Sequence, residues 1–321
     1  MKKSLFFFLL LFNFTYSQIK GCTDSNASNF NSTAVINNGN CQYQSFKIKP
    51  KYSVRLSDTV KETSGLISFN GLIWTHNDDH DKHIYGLDTL GIIQKRIFLD
   101  NTANHDWEEI SQDSSHIYIG DFGNNNTGNR TDLNILKINK KTFFDEKPTI
   151  EIISFKYSNQ TDFSSKKSNS TNFDCEAFIV TKDSIFLFTK QWQSSKTSIY
   201  TLPNQSGNHI AQLKQTFDTK GLVTGATYLE SKKLIVLCGY SKFGKPFLYL
   251  LYDFKNNDFL SGNKRRIDLQ LPFHQIEGIT TTDGLHYYLT NETLIRKPII
   301  NVPAQIHYLD LNPVLKSYVH K

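Results

Sequence analysis

The sequence lacks the short motifs of the common catalytic sites, although the chain is 321 residues long. It contains no GxSxG, no HExxH, no P-loop and no CxxC, so nucleophilic catalysis built on such a motif has no support. It also lacks a dense run of basic residues, because its formal net charge of +6 is spread along the chain. We therefore expect no nucleic-acid partner.

Long apolar runs are lacking beyond the first seventeen residues. Met1–Ser17 has a basic start, an apolar centre and a small or polar end, which is typical of a secretory signal peptide. A lipoprotein anchor at Cys22 is the alternative, and Lys20, just before that cysteine, disfavours it. We expect an exported protein, either secreted or held in the periplasm or at the cell surface, with no integral membrane segment.

Cysteine is scarce, and the four present suit an exported protein. Cys22 and Cys41 bracket a short Asn-rich loop and are expected to pair. This predicts a small disulfide-closed module over residues 18–44, followed by a linker over 45–51. Cys175 and Cys238 each lie in a predicted strand. They form either a bond between neighbouring repeat units or two buried free thiols.

Methionine is nearly absent, whereas aromatic residues make up 13% of the chain, which favours packed sheets over helical bundles. From Tyr52 onwards the sequence reads as strand hairpins, with strong tight-turn signals at Asn70-Gly71 and Asp283-Gly284. Each hairpin is followed by further β-like runs. Four strands per unit in five units predict an all-β, five-bladed β-propeller over residues 52–321. The leading hairpins are Ser64–Phe69 with Leu72–His76, Trp107–Ser111 with His116–Asp121, Cys175–Val180 with Ser184–Thr189, Val223–Leu229 with Lys233–Gly239, and Glu277–Thr281 with His286–Thr290.

The last unit has only three clear strands. Tyr52–Leu56, upstream of the first unit, is expected to supply the missing outer strand, because closure by both ends removes exposed sheet edges. A six-bladed propeller is the alternative, and it would need a blade hidden between Glu108 and Glu176.

Oxygen-bearing side chains recur at the start of the first strand of each unit. Since strand alternation turns one residue per blade towards the axis, the five should form a ring with about three negative charges. Calcium suits such a ring because it takes six to eight oxygen ligands. A water-filled polar channel is the alternative. The predicted metal ligands are Ser64, Glu108, Glu176, Thr224 and Glu277.

The ends of the second strands should lie on the same rim of the propeller. There Asp78, Asp121 and Glu292 could position or deprotonate a water molecule. Lys190 and Arg130 could steady negative charge, with the Gly123–Arg130 loop lying over the rim. An ordinary solvated rim is the alternative interpretation of these predicted catalytic residues.

Several strings resemble known exported bacterial proteins. Gly21–Tyr43 resembles a small GCTD-type module, in which Asp24, Asn37 and Asn38 could bind calcium, although a turn-rich loop without metal is preferred. A second resemblance, over about residues 60–190, is to largely uncharacterised exported bacterial β-propellers. It is carried by WTHND (Trp74–Asp78), DWEEI (Asp106–Ile110), IYIGDFGNN (Ile117–Asn125), Arg130 and DCEAF (Asp174–Phe178).

The whole array more distantly resembles the calcium-activated apyrases, which are five-bladed propellers that hydrolyse nucleoside di- and triphosphates. Their axial ligands follow the order Ser, Glu, Glu, Ser, Glu, which the predicted ring matches with Thr224 in place of one Ser. IEGI (Ile276–Ile279) is similar to their final-blade motif. The basic residues that hold the nucleotide are not recognisable here, so the resemblance implies the calcium rather than the activity.

Two functions remain open at the level of the sequence. The first is an exported calcium-binding propeller that hydrolyses phosphoesters or related anionic small molecules with Ca²⁺ as cofactor. The second is a non-catalytic propeller that binds a small molecule or a surface ligand and holds a structural calcium. We expect a monomer in either case.

Overall fold

The computed structural model describes residues 18–320 of the chain. The predicted signal peptide over 1–17 lies outside the described residues and stays a prediction. Residues 18–48 contain three short strands, and Cys22 and Cys41 form the predicted disulfide, which fits an oxidising compartment. These strands are β1 (Lys20–Gly21), β2 (Ile36–Asn37) and β3 (Lys47–Ile48).

Twenty antiparallel strands of the remaining chain form five blades of four, which confirms the five-bladed β-propeller. β4 (Tyr52–Arg55) comes first in the chain and is joined to blade 1 by a 3₁₀ turn at Asp58–Val60. The strands of blades 1 and 2 are β5 (Thr63–Phe69), β6 (Leu72–Asn77), β7 (His83–Leu87), β8 (Ile93–Phe98), β9 (Trp107–Gln112), β10 (His116–Asp121), β11 (Asn134–Asn139) and β12 (Ile150–Tyr157). Those of blades 3 and 4 are β13 (Cys175–Val180), β14 (Ser184–Thr189), β15 (Thr197–Pro203), β16 (Gly207–Phe217), β17 (Leu222–Leu229), β18 (Leu234–Tyr240), β19 (Pro246–Tyr252) and β20 (Asn263–Leu269), with a 3₁₀ turn at Glu230–Lys232.

Blade 5 is closed by strands from both ends of the chain, as the sequence predicts. β4 pairs with the third strand of this blade, so Tyr308 lies opposite Tyr52. A small side hairpin projects between the second and third strands, and a C-terminal helix packs against blades 4 and 5. The elements are β21 (Ile276–Thr281), β22 (His286–Asn291), the side hairpin β23 (Leu294–Arg296) and β24 (Ile300–Val302), β25 (Gln305–Asp310) and α1 (Asn312–Val319).

The interval between Glu108 and Glu176 contains the rest of blade 2 and an irregular loop, which leaves no strands for a sixth blade. One pairing was not predicted. β16 pairs with β12 in parallel over its first half and with β15 over its second half, which joins blades 2 and 3 into one eight-stranded sheet.

Apolar side chains fill the five spaces between adjacent blades, and each space holds one cluster of buried residues. Because both faces of a blade are covered, its middle strands can be apolar throughout. Leu234–Tyr240 is buried along its whole length. Cys175 and Cys238 lie in two of these clusters as buried free thiols. The innermost strands β5, β9, β13, β17 and β21 contact one another in ring order and surround the axis.

The disulfide module packs on blade 4 through its polar residues. The Asp24 carboxylate accepts hydrogen bonds from Tyr43 (2.8 Å) and Tyr252 (2.6 Å), and Asn37 donates to Asp253 (2.7 Å). β3 extends the blade by pairing in parallel with β20. These contacts hold the module on blade 4, and the absence of a metal from it stays a prediction. Within residues 18–320, no helix is long and apolar enough to cross a membrane.

Candidate functional site

Each innermost strand is interrupted by a β-bulge at the same end of the channel. In blades 2 to 5 the residue left without a partner is Glu108, Glu176, Thr224 and Glu277 in turn, and in blade 1 the interruption follows Ser64. A bulge re-aims one side chain out of the regular alternation of a strand. The five residues that the sequence aligns therefore occupy equivalent positions, and the bulge sets their direction.

The bulges surround a central cavity of about 200 Å³ to which all five blades contribute. Ser64, Glu108, Glu176 and Glu277 line it, whereas Thr224 does not. The hydroxyls of Ser64 and Thr224 connect neighbouring blades. Ser64 donates to the backbone oxygen of Glu108 (2.6 Å), and Thr224 donates to that of Ile276. These two hydrogen bonds connect neighbouring innermost strands around the axis, and of the two residues only Ser64 also lines the cavity.

Negative charge dominates the described lining of this cavity. Six carboxylates face one basic residue, Lys190, which is itself buried and lies 2.8 Å from Glu176 Oε2. Burial and then neighbouring charges, including Glu292, raise the pKa of Asp78 to about 8. Burial first, and then Glu292 and Asp78 against the opposing effect of Lys190, raise the pKa of Glu277 to about 8. The cavity therefore favours either protons or a cation. The carboxylates are Glu62, Asp78, Glu108, Glu176, Glu277 and Glu292.

Three buried carboxylate oxygens at the cavity, Asp78 Oδ1, Glu176 Oε1 and Glu277 Oε2, have no hydrogen-bond partner among the described residues. Burying such an oxygen without a partner is costly. Glu108, Asp174 and Glu176 also offer three oxygens that all lie within 4.8 Å of one another. Oxygens in this arrangement fit a hard cation such as calcium, whose ligands lie at about 2.3–2.6 Å. A second acidic group, at the mouth of the cavity, consists of Glu62, Asp78 and Asp79.

Two loops cover part of the site. Asn125, in the loop that follows β10, and Asn169, in the loop before β13, both line the cavity, and the backbone N–H of Asn169 donates to the backbone oxygen of Asn125 (2.8 Å). Gly123 lies directly against the acids, because a Cβ there would overlap the carboxylates of Asp106 and Glu108. Only glycine allows the loop to approach the acids this closely.

Asp121 and Arg130, both predicted at the rim, lie beside the cavity and do not line it. They pair with each other (2.9 Å), and Asp121 also accepts hydrogen bonds from the His105 ring (3.0 Å) and the Asp106 backbone (3.1 Å). Arg130 donates to the backbone oxygen of Gly123 (2.9 Å). The pair therefore fixes the loop over the site. Of the five predicted catalytic residues, the structure brings Asp78, Lys190 and Glu292 together.

Sequence reasoning missed two acids near the axis. Asp174 accepts hydrogen bonds from the backbone of Asn124 (2.7 Å) and the ring of Trp192 (2.7 Å), and one of its oxygens belongs to the three-oxygen group. Glu109 is fully buried, with Oε1 accepting from the Ile110 N–H (3.0 Å) and Oε2 from the Ala226 N–H of blade 4 (2.6 Å). Glu109 therefore links blades across the channel. Glu109 lies in the string DWEEI and Asp174 lies in the string DCEAF. The sequence aligned Glu108 and Glu176 with the axis but did not show what the acids beside them contact.

No protein-family model and no curated protein matches the chain. Three solved structures show low similarity to this chain. The hydrazine synthase of Kuenenia stuttgartiensis has a TM-score of 0.39 and 7% identity, covering 79% of this chain and 64% of that chain. A chain of a mitotic checkpoint complex has a TM-score of 0.40 and 9% identity, covering 84% and 98%. A streptogramin B lyase has a TM-score of 0.37 and 14% identity, covering 81% and 87%. Since these TM-scores are below 0.5, the five-bladed architecture rests on the strand pairing of this chain.

Proposed function

We propose that this chain is an exported propeller that binds calcium in the axial cavity. The observation that carries the proposal is the pair of buried, unpartnered oxygens on Glu176 and Glu277, which face a cavity rich in carboxylates. Oxygens of Glu108 and Asp174, with the Ser64 hydroxyl beside them, complete a set of hard ligands. The resemblance to the calcium-activated apyrases supports the same ion, because the order of the five bulge residues follows theirs with Thr224 for one Ser.

Thermal unfolding of the mature chain, in calcium and in chelator, tests the ion. A ligand that binds only the native state raises the midpoint, so calcium should raise it for the wild type. The substitution Glu277→Gln should abolish the calcium-induced rise of the midpoint, and Glu277 is in none of the ion pairs of the described residues. Glu146→Gln, at an exposed position in a turn, is the matched control. A wild-type midpoint that calcium leaves unchanged would refute the axial site, and an equal rise with magnesium would refute calcium as the preferred ion.

For hydrolysis, we propose that the bound ion polarises a phosphoester or a related anionic small molecule. Asp78 lines the mouth of the cavity, and its pKa of about 8 suits a group that exchanges a proton with water near neutral pH. Glu292 lies on the same wall, held by Gln275 (2.6 Å). Asp121 and Arg130 act through the loop that carries Asn125. Release of phosphate from 4-nitrophenyl phosphate and from nucleotides should require calcium and be lost in Asp78→Asn, which keeps the calcium-induced rise of the midpoint.

One observation favours the non-catalytic alternative, in which the propeller binds a ligand and its calcium is structural. Both predicted basic residues are already in ion pairs, Lys190 with Glu176 and Arg130 with Asp121. Groups that steady developing negative charge are already aimed at the place where it develops, whereas these two are aimed at carboxylates of the chain. If the wild type shows the calcium-induced rise but hydrolyses none of these esters, the binding function is the correct one.

A further inference from the structure

A second cavity, which we call the outer cleft, opens beside the axial site. It measures about 640 Å³ and lies between the turn Ser241–Gly244, Phe273 and the side hairpin β23–β24. Four of its lining residues, Asn169, Trp192, Tyr240 and Gln275, also line the axial cavity. One ligand of ordinary size can therefore contact both spaces at once.

The two cavities differ in chemistry. The axial cavity is lined almost entirely by polar and acidic groups, whereas the described lining of the outer cleft contains only two charged residues, Lys242 and Arg296, and both are basic. Leu222, Leu294 and Ile300 give the outer cleft an apolar surface. A ligand that fits both cavities has an apolar body and an anionic group near the boundary, within reach of these basic residues and of a cation on the axis.

Aromatic side chains are presented to solvent at this cleft. Phe243 is 83% exposed and Phe273 is 45% exposed. Backbone hydrogen bonds order the turn that carries Phe243 and join it to Phe273, since the Gly244 N–H donates to the Ser241 oxygen (2.9 Å) and the Phe273 N–H donates to the Gly244 oxygen (2.8 Å). A Cβ on Gly244 would lie 3.1 Å from the Phe273 ring, so the turn packs closely on that ring. Aromatic rings exposed on a hydrogen-bonded turn beside a cavity offer a binding surface.

We propose that the outer cleft binds the flat aromatic body of a small molecule whose phosphate-type head group lies at the axial site. This inference rests on the proposed function, because it assigns the rest of the ligand whose anionic part the axial calcium binds. The basic side chains of Lys242 and Arg296 favour an anion over a neutral aromatic compound. Phe243 and Phe273 supply faces for stacking, and they set the preference for an aromatic body over an aliphatic one.

The test compares two probes, inorganic phosphate and 1-naphthyl phosphate, by calorimetric titration with saturating calcium. The mature chain carries Asp78→Asn throughout, so that calcium still binds and the ester is not hydrolysed. The naphthyl ester should bind at least about ten-fold more tightly, because burial of its rings adds to the binding of the shared head group. Phe243→Ala should reduce this ratio about five-fold and leave phosphate binding unchanged. Phe98→Ala is the matched control, because Phe98 is exposed on the outer strand of blade 1 and lines neither cavity.

Calcium titration of the same samples separates this inference from the proposed function. Calcium binding without any preference for the naphthyl ester would overturn the outer cleft and leave the axial site in place. Equal ratios for Phe243→Ala and Phe98→Ala would also overturn the outer cleft. A chain that binds no calcium would overturn the proposed function, and with it the inference that the head group of the ligand lies at the axial site.

Discussion

Glu108 and Glu109 are neighbours in one strand, lie in the same channel and differ in what they bind. Both oxygens of Glu109 accept backbone N–H groups, one of them from blade 4 on the other side of the axis. Glu108 faces the cavity, and one of its oxygens belongs to a group of three that could hold a cation. Burial raises the pKa of both far above the usual range of a glutamate. Burial and charge therefore do not separate a structural acid from a binding acid, whereas hydrogen-bond partners do.

The largest expected effect is on stability at the structural acid. Glu109→Ala removes the acceptor of two buried N–H groups, each of which costs about 1–3 kcal/mol when left unpaired. We expect its free energy of unfolding to fall by about 3–5 kcal/mol in urea titrations, whereas Glu108→Ala, measured in chelator, should lose less than about 1 kcal/mol because it relieves repulsion among the acids. Similar losses in the two variants would erase the distinction between the two acids.

Asp121 extends the comparison, because protein donors occupy it as they occupy Glu109. Asp121→Asn keeps the shape of the side chain but removes the charge that Arg130 contacts, so the free energy of unfolding should fall by about 1–3 kcal/mol. The rise of the midpoint with calcium should persist. The opposite outcome, unchanged stability with no calcium-induced rise, would place Asp121 among the binding acids.

The last comparison concerns pH. Since the pKa values of Asp78 and Glu277 are raised to about 8, these groups hold protons at neutral pH and a cation must displace them. Calcium affinity should therefore rise between pH 6 and 8, by at most about ten-fold per unit for each proton released, and level off above pH 8. Isothermal titration at several pH values measures this slope. Asp78→Asn, which keeps the calcium-induced rise of the midpoint, should make this slope shallower, and a flat wild-type profile would show that no proton is exchanged.

The sequence predicted the hairpins, the number of blades and the closing strand, because turn residues and apolar runs act locally. Asn70 and Gly71, for example, adopt φ values of +50° and +77°, as their tight turn requires. The alignment of the hairpins singled out Glu108, but the structural role of the neighbouring Glu109 was not predictable. A bulge between Trp107 and Glu109 decides which side chain faces the cavity, and the sequence of one strand does not encode where pairing with its neighbour slips.

The outer cleft could not be predicted from the sequence either. It is formed by Phe243 from blade 4, Phe273 from the segment between blades 4 and 5, and the side hairpin of blade 5. No local pattern relates these segments, since their proximity follows from the angle between blades. Asp174 was visible in its motif, but its role depends on two donors, Asn124 and Trp192, that lie in other loops.

The closure of blade 5 has a consequence for how the chain is made. β4 precedes the other nineteen blade strands in the chain, yet its one partner among the described strands, β25, follows them all. Until β25 has been synthesised, the early strand therefore has no hydrogen-bonding neighbour in the sheet and the ring stays open. The cavity, which draws on all five blades, is assembled in the same final step, so a chain that stops before β25 has blades but no finished site.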